Sequence, residues 1–567
     1  MNKIIIFVSL IFISSITFAQ SDNFKAKKKN IFSNSESKKE YLEVLEKSIN
    51  LLEVNYVDSI NLSQIILSGI KGLMLPLDPY TKLLMDQSKE SYDLLRKGKY
   101  GGIGIQIGLR RDTLTVLSTY ENSPAYSEGL QIGDNIMMID SLSTKGLTLK
   151  ESSTQIKGEL DSTVVLHVYR TSTKQKLKFE LTRANIPLKN VPYVGINDEG
   201  IGYIRITRFS KNSDKDFKNG LKKIINQNLK GLIIDLRSNS GGLLSSAINI
   251  LDNVTERGEL LLTQKGKTSR SNNKFNSRRQ PILDKEIPII VLINRKSASA
   301  SEIVAGAIQD LDRGIIIGQK SFGKGLVQRM YDLNDTTTLK ITTAKFYLPS
   351  GRLIQKQDYL NNGFLTDGLD KKDSTFTTKS GREVKGGRGI IPDIITEPNE
   401  YSSFINALWK ERVFLTFAAD YAPKNPWLKK RLNKKMLIPN RVLKEFKKFI
   451  RFYDLQFKVP GENDFKKMKD KFLDNPLSFN KYSNNSSETV NRRLINDIEQ
   501  YFNNLRNTQF SLLKNRKAIE NGLLREFTRV LFNEEKRIEV SLINDIEYNK
   551  ALEILNNMKE YKVILSN

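Results

Sequence analysis

Residues 289–331 constrain this chain more than any other stretch. An apolar run, Ile289 to Ile293, leads through Asn294 into a Ser/Ala turn, Ser297-Ala298-Ser299-Ala300-Ser301. A helix is expected from about Ser301 to Asp312, followed by a second apolar strand from Ile315 to Ile317. Gly318 to Gly325 form a glycine-rich loop carrying Lys324, and Leu326 to Tyr331 reads as another strand. Strand, helix and strand in this order make an α/β unit. The unit places a hydroxyl at a helix N-terminus and a lysine in a glycine loop, both candidate catalytic groups.

Each feature also has a plainer reading. Ser299-x-x-Glu302 fits a capping box, which on its own only closes the helix end. Gly318 to Lys324 fits the GxxxxGK of a phosphate-binding loop. That loop needs Ser or Thr next to hold magnesium, and Gly325 stands there instead.

The residue inventory removes most other hydrolytic chemistries. The chain has no cysteine, which rules out a thiol nucleophile, a disulfide or a thiolate metal site. Its one histidine, His167, lies in the alternating segment VVLHVYR, which reads as a strand. A Ser-His-Asp triad has only that residue to draw on. A histidine zinc site needs more than one, so no metal is expected. A serine nucleophile must therefore find another base, and lysine is the natural one.

The length of 567 residues suggests roughly three or four domains. Residues 1–19 read as an export signal. Lys3 is the charged end, Ile4 to Phe18 the apolar core, and Thr17-Phe18-Ala19 the small-residue cleavage site. The expected location is the periplasm or cell envelope, with cleavage near Ala19 or retention of the segment as an anchor. The formal charge of +27 suits an envelope adaptor or an anionic envelope surface as partner. A chain rich in Lys, Ile and Asn accounts for it more simply. Export argues against nucleic acid or nucleotide as partner.

Along the chain, residues 20–36 read as a polar leader. Residues 37–98 read as a helical segment, with Leu42, Leu45, Ile49 and Leu52 at helical spacing and a turn at Leu77-Asp78-Pro79-Tyr80-Thr81. Residues 99–185 read as a β-rich module. It opens on a glycine loop with a strand after it, Tyr100-Gly101-Gly102-Ile103-Gly104-Ile105, whose N–H groups suit capture of a peptide C-terminal carboxylate. Residues 186–398 form the α/β core. Within it, Asp235-Leu236-Arg237-Ser238-Asn239-Ser240-Gly241-Gly242 turns from a buried strand into a helix. Glycines there free N–H groups for an oxyanion. Residues 399–567 read as a basic helical domain with solvated lysines.

In combination these motifs resemble the C-terminal processing peptidases, or tail-specific proteases. The motifs are LDPYT at 77–81, SPA…GL…GD at 123–134, DLRSNSGG at 235–242, SASASE at 297–302, FGKG…Q at 322–328 and GIIPD at 389–393. The resemblance covers residues 40 to 395. It implies Ser299 as nucleophile, Lys324 as base and Gln328 as third residue, with no metal or cofactor. It further implies a PDZ domain at 99–185, set within a multidomain α+β chain whose core is of the crotonase/Clp-protease type. Protein substrates with free C-termini would be its partners. Ala300 and either Gly241 or Gly242 would bind the oxyanion through backbone N–H groups. On a strand, Lys324 and Gln328 would share a face through their even spacing. Burial against Phe322 would help neutralise the lysine, which must fall by about 3 units from its ordinary value of ~10.4 to act near neutrality. A catalytically silent PDZ scaffold is the other reading.

Overall fold

The computed structural model describes residues 35–110, 112–356, 374–398, 400–453, 455–473 and 485–566. The signal and leader calls fall largely outside these. Two bodies are distinguished among the described residues: those up to Leu83, and those from Leu84 onward.

In the first body, the helices Ser35–Asn55 and Leu62–Gly72 stand where helical spacing places them. Asp78 closes the following turn. Its carboxylate accepts from the N–H groups of Tyr80 and Thr81 at 2.7 and 2.8 Å, and from Thr81 Oγ1 at 2.7 Å.

In the second body, the α/β core is a six-stranded sheet. Tyr193–Ile196 lies antiparallel to Ile201–Arg205, and Gly231–Asp235, Ile289–Ile293, Gly314–Gly318 and Ile394–Ile395 follow in parallel. A parallel sheet must be covered on both faces, which is why its central strands are continuous Ile/Leu/Val runs. One face packs under the helices Ser213–Ile225, Leu244–Leu251 and Ala300–Asp310, through Phe217, Leu221, Ile250, Val304 and Ile308.

The second face is covered by the end of the chain. Ile538, Leu542, Ala551, Ile554, Leu555 and Tyr561 pack against Tyr203, Ile233, Ile290, Leu292 and Ile315. Tyr561 Oη bonds both the N–H and the carbonyl of Ile289, each at 3.1 Å. The helices of residues 400–566 pack in two groups. Helices from Ser403–Lys410 to Leu513–Leu531 build their own core around Phe414, Phe417, Phe446 and Phe527. Glu534–Leu542, Ile546–Asn556 and Met558–Ser566 instead form the third layer of the α/β core.

The β-rich module is a sheet in the order Ile105–Arg110, Thr113–Thr119, Asn135–Ile139, Thr163–Arg170, Gln175–Thr182, with the helix Leu149–Ile156 against it. The helix Asp86–Lys97 falls within the segment read as helical, whereas the strand Lys82–Met85 and the pair Leu260–Gly266 and Asn273–Asn276 were not foreseen.

Candidate active site

The helix Ala300–Asp310 starts at the end of the strand Ile289–Ile293, and Ser299 is its N-cap. Its backbone stands at φ 56° and ψ −113°. A non-glycine residue there stores strain on the order of 1–3 kcal/mol, which the surroundings must hold in place. Ala300 follows at the first helical position, where an N–H has no carbonyl partner within the helix.

Glu302 holds this corner together. It is 0% exposed. Its Oε2 accepts from the N–H groups of Ser299 at 2.7 Å and Lys324 at 2.9 Å. Its Oε1 accepts from Ser321 Oγ at 2.5 Å and Gly323 N–H at 2.6 Å. One carboxylate thus ties the start of the Ser299 helix to the Lys324 loop. Burial pushes the Glu302 carboxyl up, and the donors of Ser321, Lys324, Gly323 and Ser299 pull it back. The sequence reading had Glu302 only as a capping residue. The signal was present in SASASE, but the second set of donors comes from a loop 19 to 22 residues away.

Four donors on one carboxylate make a specific prediction. Gln fills the same space, but its NH2 would point a donor at two N–H or O–H donors. A buried donor without a partner costs about 1–3 kcal/mol. Glu302→Gln should lower kcat for any chemistry at Ser299 about 100-fold through misplacement of the two loops, with a lower Tm by calorimetry. Unchanged kcat would refute the role of this clamp.

The glycine turn meets Ser299 from the neighbouring strand. Gly241 has φ +97°, and a Cβ on it would lie 2.7 Å from Ala298 O, 2.9 Å from Ser299 Cβ and 3.0 Å from Ala300 N. Only glycine allows this approach. Gly241 N–H donates to Asn239 Oδ1 at 2.9 Å. A Cβ on Gly242 would meet Phe209 O at 2.0 Å. Asn239 O in turn accepts from Ala298 N–H at 3.1 Å and Ser301 Oγ at 2.8 Å, so the turn and the serine loop are stitched together.

At the root of the turn, Asp235 and Arg237 form a buried ion pair. Asp235 Oδ1 accepts from Arg237 N–H at 2.8 Å and Nε at 3.0 Å, and Oδ2 from Nη2 at 2.7 Å and Tyr203 Oη at 2.6 Å. Burial alone would raise the Asp235 carboxyl, but Arg237, Arg205 and these bonds hold it down at about 2.

One expectation about the lysine loop is corrected. Lys324 precedes the strand Leu326–Asp332, and a β-bulge between Val327 and Gln328 breaks the alternation. Even spacing therefore does not put the two residues on one face. Gln328 Nε2 donates to Thr342 Oγ1 at 3.4 Å. Phe322 is 43% exposed, with Lys356 Nζ 5.6 Å from its ring centre. Lys324 itself is half-buried. His167 stands in the β-module strand Thr163–Arg170, paired with Lys178.

The proposed carboxylate loop is divided by the structure. Tyr100, Gly101 and Gly102 belong to a strand, Lys99–Gly102, paired with Ala184–Pro187, and are not loop. Ile103 is 1% exposed, in the module's core. Gly104 turns at φ +77°. Ile105 reaches a groove of about 370 Å³ lined by Ile105, Gln106, Ile107, Leu149, Lys150 and Ser153. Ile105–Arg110 ends the sheet order, so the groove runs along an edge strand. Among the described residues, no cluster of His, Cys, Asp and Glu is arranged to hold a metal.

Comparisons with known proteins agree on the parts. The family model of Peptidase family S41 matches residues 200–368, a PDZ domain model 101–181, and a model described as "Probable PDZ-protease, C-terminal helical domain" 404–555. A "Carboxy-terminal-processing protease" of Bartonella bacilliformis is 33% identical over 410 residues, covering 71% of this chain and 85% of that protein. "Carboxy-terminal processing protease CtpB" of Bacillus subtilis is 27% identical, covering 66% of this chain and 79% of that protein. A "Carboxyl-terminal-processing protease" of Synechocystis is 33% identical, covering 51% of this chain and 68% of that protein. The chain belongs to the carboxy-terminal processing proteases of the S41 serine peptidases.

Proposed function

We propose that the protein is an exported endopeptidase that cuts proteins near their C-termini through a serine–lysine acyl-enzyme mechanism. The observation that carries this is the Glu302 carboxylate. It ties the N–H groups of Ser299 and Lys324 to one point, at 2.7 and 2.9 Å, on a strained serine at a helix N-terminus. Ser299 Oγ attacks the peptide carbonyl, and Lys324, as the neutral amine, takes the serine proton. The proton then passes to the leaving amine, and water repeats the cycle on the ester. Ala300 N–H and a glycine N–H from Gly241 or Gly242 receive the oxyanion. For Gly241 this requires release of its bond to Asn239 Oδ1. Gln328 helps orient the lysine amine once its weak bond to Thr342 gives way.

The PDZ groove reads the substrate tail. A peptide adds to the edge strand Ile105–Arg110, its carboxylate sits at the turn of Ile103 and Gly104, and Lys150 adds a positive charge beside it. The substrates are proteins with free C-termini, and the setting is the periplasm or cell envelope, where the basic surface meets anionic partners. Among the described residues, no helix is long and apolar enough to cross a membrane. The test compares matched peptides ending in a free carboxylate or an amide, with products read by mass spectrometry. The free acid should be cut about tenfold faster, and Lys150→Glu should shrink that ratio. Equal rates for the two peptides with the intact protein would show that the groove does not read the C-terminus.

A further inference from the structure

The turn that brings Gly241 to Ser299 is anchored from an unexpected side. Arg237 lies four residues before Gly241 and is 11% exposed at its side chain. Asp235 occupies one edge of its guanidinium through Nε and Nη2. The remaining terminal nitrogen, Nη1, points to the last helices of the chain. It donates to Asp545 Oδ1 at 2.7 Å and to Glu547 Oε2 at 3.0 Å. These partners lie 308 and 310 residues away in sequence.

The two acids are not equivalent. Asp545 is also the N-cap of Ile546–Asn556, with Oδ1 accepting from Tyr548 N–H at 2.9 Å. Glu547 does no capping. Its other oxygen accepts from Thr396 Oγ1 at 3.4 Å, beside the strand Ile394–Ile395. Nearby, the Tyr203 and Tyr548 rings meet edge to face at 5.6 Å, and Tyr203 Oη bonds Asp235. The third layer of the core therefore reaches the root of the glycine turn through a charged contact as well as an apolar one. With both edges of its planar fork held, Arg237 cannot swing. Its backbone enters the segment in which Ser238 takes φ +61° and donates its N–H to Asn294 Oδ1 at 2.9 Å.

We propose that Asp545 and Glu547 are positioning residues for the Asp235–Gly242 turn, so that the C-terminal helices set the geometry of the oxyanion site. This rests on the serine–lysine reading above. Neither acid touches substrate. Their effect passes through Arg237 to the turn, so it falls on stabilisation of the oxyanion, not on capture of the peptide.

The experiment uses the full-length protein carrying Asp545→Asn with Glu547→Gln, and Glu547→Gln alone. Asn keeps the helix cap, and both replacements remove charge at nearly constant volume. Three quantities are read: kcat, KM, and inhibition by a peptide aldehyde whose hemiacetal oxygen would occupy the oxyanion site. The double variant should lose 10- to 100-fold in kcat and a similar factor in aldehyde affinity, with KM within about twofold. Glu547→Asp should recover part of the loss if its shorter arm still reaches Nη1. A folded double variant with wild-type kcat and aldehyde affinity overturns the proposal. So does a loss confined to KM or to Tm. If the double variant does not fold, Glu547→Gln alone decides by the same criteria. Ser299→Ala is run alongside. Activity surviving in that variant refutes the serine–lysine reading itself, whereas an inactive Ser299→Ala beside a fully active double variant refutes only the role of the C-terminal acids.

Discussion

Ser299→Ala is expected to abolish cleavage, by on the order of 10⁴- to 10⁶-fold in kcat, while the protein remains folded. In serine peptidases, removing the nucleophile costs about as much as removing the whole catalytic set, because its members act as a unit. Alanine removes only Oγ and leaves the Glu302 bond to the residue 299 N–H, so the corner should keep its shape. His167→Gln is the companion variant. His167 stands in a β-module strand, its neighbours Val164, Leu166 and Val168 filling that module's core. Gln there should leave kcat within about twofold. A folded but inactive His167→Gln would overturn the serine–lysine assignment. A Ser299→Ala variant that still cuts peptides, with its Tm and product pattern unchanged, would do so as well.

Lys324→Arg should be nearly as damaging, by about 10³-fold or more. Arginine remains protonated in proteins and cannot accept the serine proton. Its charge is conserved, so any purely electrostatic role of Lys324 would survive. The loop itself should hold, because Glu302 bonds the N–H of residue 324, not its side chain. The sign of the pH dependence follows from the same chemistry. A lysine acting as base is competent only after losing its proton, so the wild-type kcat/KM should rise with pH. The rise should be missing from whatever activity Lys324→Arg retains. A normal rate in the arginine variant, measured at several pH values, would exclude Lys324 as the base.

Much of this site was readable before any coordinates. The apolar run Ile289 to Ile293 is a buried central strand, and SASAS opens the helix after it, because a continuous apolar run and a Ser-x-x-Glu cap are local signals. The α/β class and the absence of cysteine and of a second histidine were equally local facts. They narrowed the chemistry to serine and lysine.

The tertiary structure decided what local signals cannot carry. Even spacing of Lys324 and Gln328 meant a shared face only on a regular strand, and the bulge at Val327 and Gln328 removed that condition. The Tyr100–Gly102 stretch reads as a loop by its glycines, yet it pairs with Ala184–Pro187, a partner some 85 residues away that composition does not announce. Glu302 looked like a cap, and it became the joint between two loops because the fold delivered three more donors to its carboxylate. The largest difference lies at the C-terminus. Residues 534–566 have the amphipathic pattern of any helical bundle, and a hydrophobic stripe does not name its partner. The sheet of the α/β core needed a second cover, and the end of the chain supplied it, bringing Asp545 and Glu547 to Arg237. Periodicity determines which face a helix buries, and only packing determines what it is buried against.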